Sequence, residues 1–375
     1  MKFLPPCLCL FCGFISLGTL AQDQAPVVTT TNATIRVMAS NLTSGNNSRY
    51  EVFGLRILKG LAPDVVAMQE FNYVSTNGLG TNTPGAFREM VDGAFGTNFS
   101  YFRENITMNG PIPNGIISRF PILSSGSFPD IVQTQPNRGF AWAEIGIPGS
   151  NSLYVVSVHL LTSSSVNRSN ETVNLKALMA TANFPTNGFV VVAGDFNAGT
   201  RGEACITNFR PLLVDDPIPT DQAGNSFTSG PRSTPHDFVL ISPLLRSNFI
   251  ATVIGAQSFT NGLVFDSRVY MPLSDVPPVV STDSGASMMQ HMGVVKDFRI
   301  NYTVTNFVTV PPPVLILNAT NVIRWQGLSN VTYSVQASTN LPFFSTIGTA
   351  LSTTTNLSFT NTSGSDHLFY RVVYP

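Results

Sequence analysis

The feature that most constrains this chain is a succession of short, nearly unbroken apolar runs, several of them closing on a polar residue. They lie between residues 34 and 303 and are interrupted by stretches of helical spacing. IRVMAS (35–40), DVVAMQE (64–70), NGIISRFPI (114–122), RGFAWAEIGI (138–147), SLYVVSVHL (152–160) and FVVVAGDFN (189–197) are such runs. A run of this length without alternation is a strand covered on both faces. Between the first two, Tyr50, Phe53, Ile57 and Leu61 recur at helical spacing until Pro63 stops the pattern. A further helix is predicted over 171–182, capped by Ser169 or Asn170. Strands alternating with helices give a layered α/β fold. Charged residues make up only 11% of the chain, which excludes coiled coils and long solvated helices. A net charge of −1 excludes a chain that grips polyanions by bulk positive charge, although a local basic patch stays open.

The pattern changes near the carboxy terminus. Residues 304–313 read as a linker closed by Pro311-Pro312-Pro313, which continues neither helix nor sheet. From 314 to 375 the chain is nearly free of charge, and VIRWQGL, TYSVQAS, NLSFTNT and LFYRVVYP alternate with turn-formers, as a small all-β unit would. At the other end, residues 1–21 read as a secretory signal: Met1-Lys2, an apolar run from Leu8 to Leu20, and small residues before cleavage at Ala21. A polar lead-in follows over 22–33. The mature chain is expected to be secreted or periplasmic, with no transmembrane segment. Three of the four cysteines fall in the signal, so Cys205 has no internal partner and reads as a buried apolar residue.

Chemistry is expected where the strands end, because open α/β sheets present their sites there. Asn41 follows IRVMAS, Glu70 follows DVVAMQ, and His159 closes an apolar strand face. Gly194-Asp195-Phe196-Asn197 follows FVVVA, with two oxygen-bearing side chains two residues apart. Arg138 and Arg232 precede further strands and could meet a phosphate with a forked donor. His236 is expected to face away from its neighbour Asp237 on an extended segment, and Trp142 to lie in the core.

In order, Asn41, Glu70, His159, Asp195-x-Asn197, Asp237 and His291 resemble the endonuclease/exonuclease/phosphatase superfamily. That superfamily includes deoxyribonuclease-like nucleases, neutral sphingomyelinases and inositol-phosphate phosphatases. The matching strings are ASNLT, PDVVAMQEFN, NGIISRFPI, SVHL, GDFNA, PHDFVLIS and, less closely, QHMGVVKDF, together covering about 34–300. The resemblance implies a four-layered α/β sandwich with two packed central β-sheets. It also implies a metal-dependent hydrolase of phosphodiesters using Mg²⁺, with Mn²⁺ or Ca²⁺ as alternatives. Attack on a phosphodiester must neutralise charge on the phosphoryl oxygens and the departing oxyanion, and a hard divalent cation with few protein oxygens does this. By resemblance Glu70 is the principal ligand and Asn41 its neighbour. Asp195 orients or deprotonates the attacking water, and Asn197 holds a phosphate oxygen. His291 contacts the scissile phosphate while Asp237 sets its tautomer and favours its charged form. His159 bonds a phosphate oxygen or protonates the leaving group.

One departure stands out. Where the superfamily has Ser-Asp-His, this chain has Met289-Gln290-His291, so a neutral amide replaces a carboxylate near the metal. Gln290 can still offer an oxygen, and Asp283 is the acid expected to substitute. The tail resembles the fibronectin type III or immunoglobulin-like modules of secreted bacterial enzymes, with Trp325 and Tyr333 in its core. Such a module could contact a surface or polysaccharide. Three readings follow: a nuclease, a sphingomyelinase-like phospholipid phosphodiesterase, or a surface-binding protein that kept the fold and lost turnover.

Overall fold

The computed structural model describes residues 24–44, 49–106, 110–133, 136–149, 151–309, 316–317, 322–340, 343–362 and 369–373. The predicted signal at 1–21 and Pro311-Pro312-Pro313 lie outside the described residues. The chain divides into a large compact unit, Thr30–Tyr302, and a smaller one that takes in Thr303 onward.

In chain order the main elements are β1 (Gln24–Ser40), α1 (Val52–Leu61), β2 (Val65–Met68), α2 (Pro84–Phe95), β3 (Ser100–Arg103), β4 (Gly115–Ser118), β5 (Ile122–Phe128), β6 (Phe140–Ile145), β7 (Leu153–His159), α3 (Ser165–Thr181), β8 (Phe189–Asp195), β9 (Asp237–Ile241), β10 (Phe249–Ile250), β11 (Leu263–Phe265) and β12 (Gly293–Thr309). They form a mixed α/β fold. One sheet has the order β10-β12-β1-β2-β4-β3 with β11 also on β12, and the other runs β9-β8-β7-β6-β5. Strand β1 takes up most of the lead-in expected at 22–33, and β12 extends to Thr309, into the linker expected at 304–313. Both stretches are rich in Val and Thr, which suit a pleated surface.

Side-chain parity explains the core. Ala143, Ile145, Val155, Val191, Ala193, Val239 and Ile241 join one apolar cluster with Val65, Val66 and Ile117 of the first sheet. Their even-numbered neighbours Val156, Val158, Val190, Val192, Phe238 and Leu240 join Leu175 and Met179 of α3 in a second cluster. The two sheets thus face each other, and α3 covers the outer face of the five-stranded sheet. Strands β2, β4, β7, β8 and β9 are buried along all or nearly all of their length, which is why their sequences do not alternate.

Helix α3 starts earlier than the sequence suggested. Ser164 is the N-cap, its hydroxyl accepting from Asn167 N, and Ser169 and Asn170 lie inside the helix. Several Ser and Asn residues in this stretch are competent caps, and contacts beyond it select among them. Arg168, on the first turn, bonds Leu161 O, Thr162 O and Glu203. Tyr50 lies outside α1, in the two-residue strand Arg49–Tyr50 paired with Thr43–Ser44, its hydroxyl on Ser40 O.

The smaller unit is all-β: Ile316–Leu317, Val322–Gln326 and Asn356–Thr360 form one antiparallel sheet, and Ser345–Ser352, Val331–Ser338 and Phe369–Val373 another. Ile323, Trp325, Tyr333, Val335 and Leu357 make its core.

Candidate active site

Strand register assembles the site. Asp195 at the end of β8 is paired directly with His159 of β7 on one side and Asp237 of β9 on the other. The three residues have the same parity as Val155, Val191 and Val239, so they face the opposite sheet. From that sheet come Asn41, just after β1, Glu70, two residues after β2, and His291, two residues before β12. Ser157 closes the seam between the sheets beneath them: its hydroxyl donates to Met68 O at 2.8 Å and accepts from Gln69 Nε2 at 2.8 Å. Gly194 is required here. Its φ is +139°, and a Cβ would stand 2.2 Å from Val158 O.

Asp195 is the hub. Its Oδ2 accepts from Asn41 Nδ2 at 3.1 Å and lies 3.3 Å from His291 Nε2 and 3.4 Å from His159 Nε2. Its Oδ1 accepts from Asn197 N at 2.8 Å. His291 Nδ1 sits 2.9 Å from Asp237 Oδ2, and the Asp237 N–H donates to Thr228 Oγ1 at 2.7 Å. Asn41, Glu70, His159, Asp195, Asp237 and His291 are each at most 6% exposed. Glu70, His159, Asp195, Asn197, Gln290 and His291 nevertheless line a common cavity of about 450 Å³. Buried side chains at the floor of an open cavity are held in place yet reachable.

The electrostatics separate the two imidazoles. Burial opposes charge on His291, but Asp237 and Asp195 outweigh it and push the ring up to about 10. Burial holds His159 well below its ordinary value, and Arg138 and His291 add to the effect. One ring is therefore cationic at neutral pH and the other neutral. Burial also raises Glu70, against the Thr43 hydrogen bond and the charge of His291, and raises Asp195.

Residues 55–275 match the endonuclease/exonuclease/phosphatase family. The chain belongs to this family. It is accordingly a hydrolase acting on phosphoester bonds. Similar solved structures include an endonuclease/exonuclease/phosphatase from Beutenbergia cavernae, 14% identical over 91% of this chain and 100% of that one, with a TM-score of 0.48. The human nocturnin catalytic domain with bound sulfate is 16% identical over 75% and 98%, TM-score 0.46. A family protein from Bacteroides thetaiotaomicron is 14% identical over 72% and 99%, TM-score 0.46. Among curated proteins none matches the chain in sequence.

The family depends on divalent metal, and two donor sets here could hold one. Asp195, Asp237 and His291 offer ligand atoms within 4.8 Å of one another. A cationic imidazole has no free lone pair, however, so His291 suits charge neutralisation better than ligation. Glu70 and Asn41 fit a hard cation more directly. Thr43 Oγ1 donates to Glu70 Oε2 at 2.6 Å and lies 3.2 Å from Asn41 Oδ1, gathering a carboxylate and an amide oxygen at the cavity edge.

The other expected residues divide. Asn197 lines the cavity at a left-handed φ of 49°, its amide donating to Leu160 O at 2.8 Å. Arg138 also lines it, but its Nε and Nη2 are spent on the carbonyls of His159 and Leu160, so it buttresses the β7 end. Arg232 is a correction: both arms of its fork are taken by Asp221 and Asp266, and it does not line the cavity. Gln290 is exposed on the cavity wall. Asp283 cannot substitute for the missing carboxylate, because it is buried against Arg56 and accepts from Val280 N. His236, expected to face away, instead packs its ring 5.5 Å from that of His291. His236 precedes β9 and lies outside the strand whose parity the expectation assumed. Sequence reasoning also missed Thr43, Gln133, Asn137 and Thr162. Thr43 was visible in ASNLT; the other three have no local signature and reach the cavity through loops.

Proposed function

We propose that this chain hydrolyses phosphodiester bonds with a divalent cation, Mg²⁺ foremost, at the cavity centred on Asp195. The observation that carries the reading is the convergence of Asn41, His159 and His291 on one carboxylate oxygen beside Glu70. Glu70 and Asn41 would hold the cation, with Gln290 as a neutral oxygen nearby. When bound, the ion supplies positive charge to the phosphoryl oxygens. Asp195 orients the attacking water and accepts its proton. The cationic ring of His291, kept so by Asp237, attracts a non-bridging phosphate oxygen. His159, neutral, donates a hydrogen bond to the substrate, and Asn197 steadies the phosphate.

Nucleic acid is the leading substrate. A phospholipid is the second reading, favoured by Ile112 and Leu161 on the cavity wall beside the neutral amides of Gln133 and Asn137. The reading carries with it a four-layered sandwich over 34–303, a fibronectin type III or immunoglobulin-like module over 314–375 with Trp325 and Tyr333 in its core, and export directed by residues 1–21. Among the described residues no helix is long and apolar enough to cross a membrane.

The test is product release from plasmid DNA, sphingomyelin and a bis-aryl phosphodiester, with and without chelator. Glu70→Gln should abolish turnover, and His291→Ala should lower it by about 10² to 10⁴. A wild type as inert as both variants on every substrate would leave only the surface-binding reading.

A further inference from the structure

The group formed by Asn41, Thr43 and Glu70 is short of hydrogens. Thr43 opens the short strand Thr43–Ser44, opposite Tyr50, and is 1% exposed. Its Oγ1 lies 2.6 Å from Glu70 Oε2 and 3.2 Å from Asn41 Oδ1. A threonine hydroxyl has one hydrogen to give. The shorter contact, to a carboxylate, takes it, since hydrogen bonds to charged acceptors are the shorter and stronger kind. The amide of Asn41 cannot reverse to supply another, because its Nδ2 already donates to Asp195 Oδ2 at 3.1 Å. Turned round, it would set its oxygen against that carboxylate. Three oxygens on three side chains thus meet around a single hydrogen, where Glu70 opens onto the cavity. Such a group calls for a positive centre.

We propose that Thr43 is the positioning residue of the metal site: its hydroxyl fixes the Glu70 carboxylate and leaves the Asn41 amide oxygen directed at a hard divalent cation. This rests on the phosphoesterase reading above and adds the residue that orients its ligands. The backbone makes the role specific. Pairing of Thr43 with Tyr50 fixes where the hydroxyl stands, and the Tyr50 hydroxyl in turn is tied to Ser40 O, at the end of the strand that delivers Asn41.

The experiment is calorimetric titration of Mn²⁺ into the full chain, comparing wild type with Thr43→Val, Thr43→Ala and Thr43→Ser. Outer partners of metal ligands typically contribute about 10- to 100-fold in affinity, and a loss of that size is expected for Val and Ala. Ser, which keeps the hydroxyl, should bind like wild type. Thermal midpoints without metal report on folding separately, and Ala serves where the Val chain does not fold. Two results overturn the assignment: Val and Ala variants that bind as wild type does, or a Ser variant as weak as they are. The second would mean that the methyl group, by packing, is what matters. A wild type that binds no Mn²⁺ would instead overturn the phosphoesterase reading on which the assignment stands.

Discussion

Two side chains at the cavity decide most of what can be tested one residue at a time. Asp237 is buried, shares a hydrogen with His291 Nδ1, and does most to keep that ring charged up to about 10. If the charged ring is what meets the phosphate, kcat/KM should hold across neutral pH and fall as pH rises through about 10. Asp237→Asn removes the charge and keeps the shape. The alkaline limb should then move down toward the ordinary imidazole value of 6.5, which a pH–rate profile reads directly. Gln290 is the other. It is exposed on the cavity wall with its backbone held by Gly230 N, so a shorter carboxylate can be placed there without disturbing the core. Gln290→Asp should tighten Mn²⁺ binding on the order of tenfold, because affinity for hard cations follows the charge of the ligand set. Unchanged affinity would show that this position does not face the ion.

Among the elements, α3 shows where local rules suffice and where they fail. The chain offers Ser164, Ser169 and Asn170 as caps, and any of them could start a helix. Burial of Arg168 against Leu161 O, Thr162 O and Glu203 requires the first turn to exist before Ser169, so Ser164 is the cap. Ser164→Ala should cost about 1 kcal/mol in denaturant unfolding, and Asn170→Ala, on an exposed helical position, far less. Equal costs would remove Ser164 from that role. The strands were legible for a simpler reason: seven-residue β8 is buried throughout, and only an apolar run survives burial on both faces.

For the molecule as a whole, the buried Lys296 gives stability a pH dependence unrelated to the cavity. It is 0% exposed, its Nζ donates to Val239 O at 2.9 Å, and burial pushes the amine down to about 8 from 10.5. Between those values the folded chain binds fewer protons than the unfolded one, so this group adds stability as pH rises from about 8 to 10.5. Lys296→Met, which deletes the titration, should therefore lose ground to wild type in thermal midpoint across that window. A constant difference between the two would mean that the amine is not held down.

Composition and pattern alone determined the α/β class and the strands buried on both faces, because such burial leaves a local mark; the resemblance to the superfamily's ordered motifs supplied the side chains that converge. Asn41, Glu70, His159, Asp195, Asp237 and His291 could be named in order without coordinates. Pairing across strands is non-local, and it decided the rest: that His159, Asp195 and Asp237 stand abreast, that Arg232 and Asp283 are neutralised by partners 11 to 227 residues away, and that His236 turns back onto His291. A charged residue looks the same in sequence whether it faces substrate or a counter-charge; only folding brings the counter-charge to it.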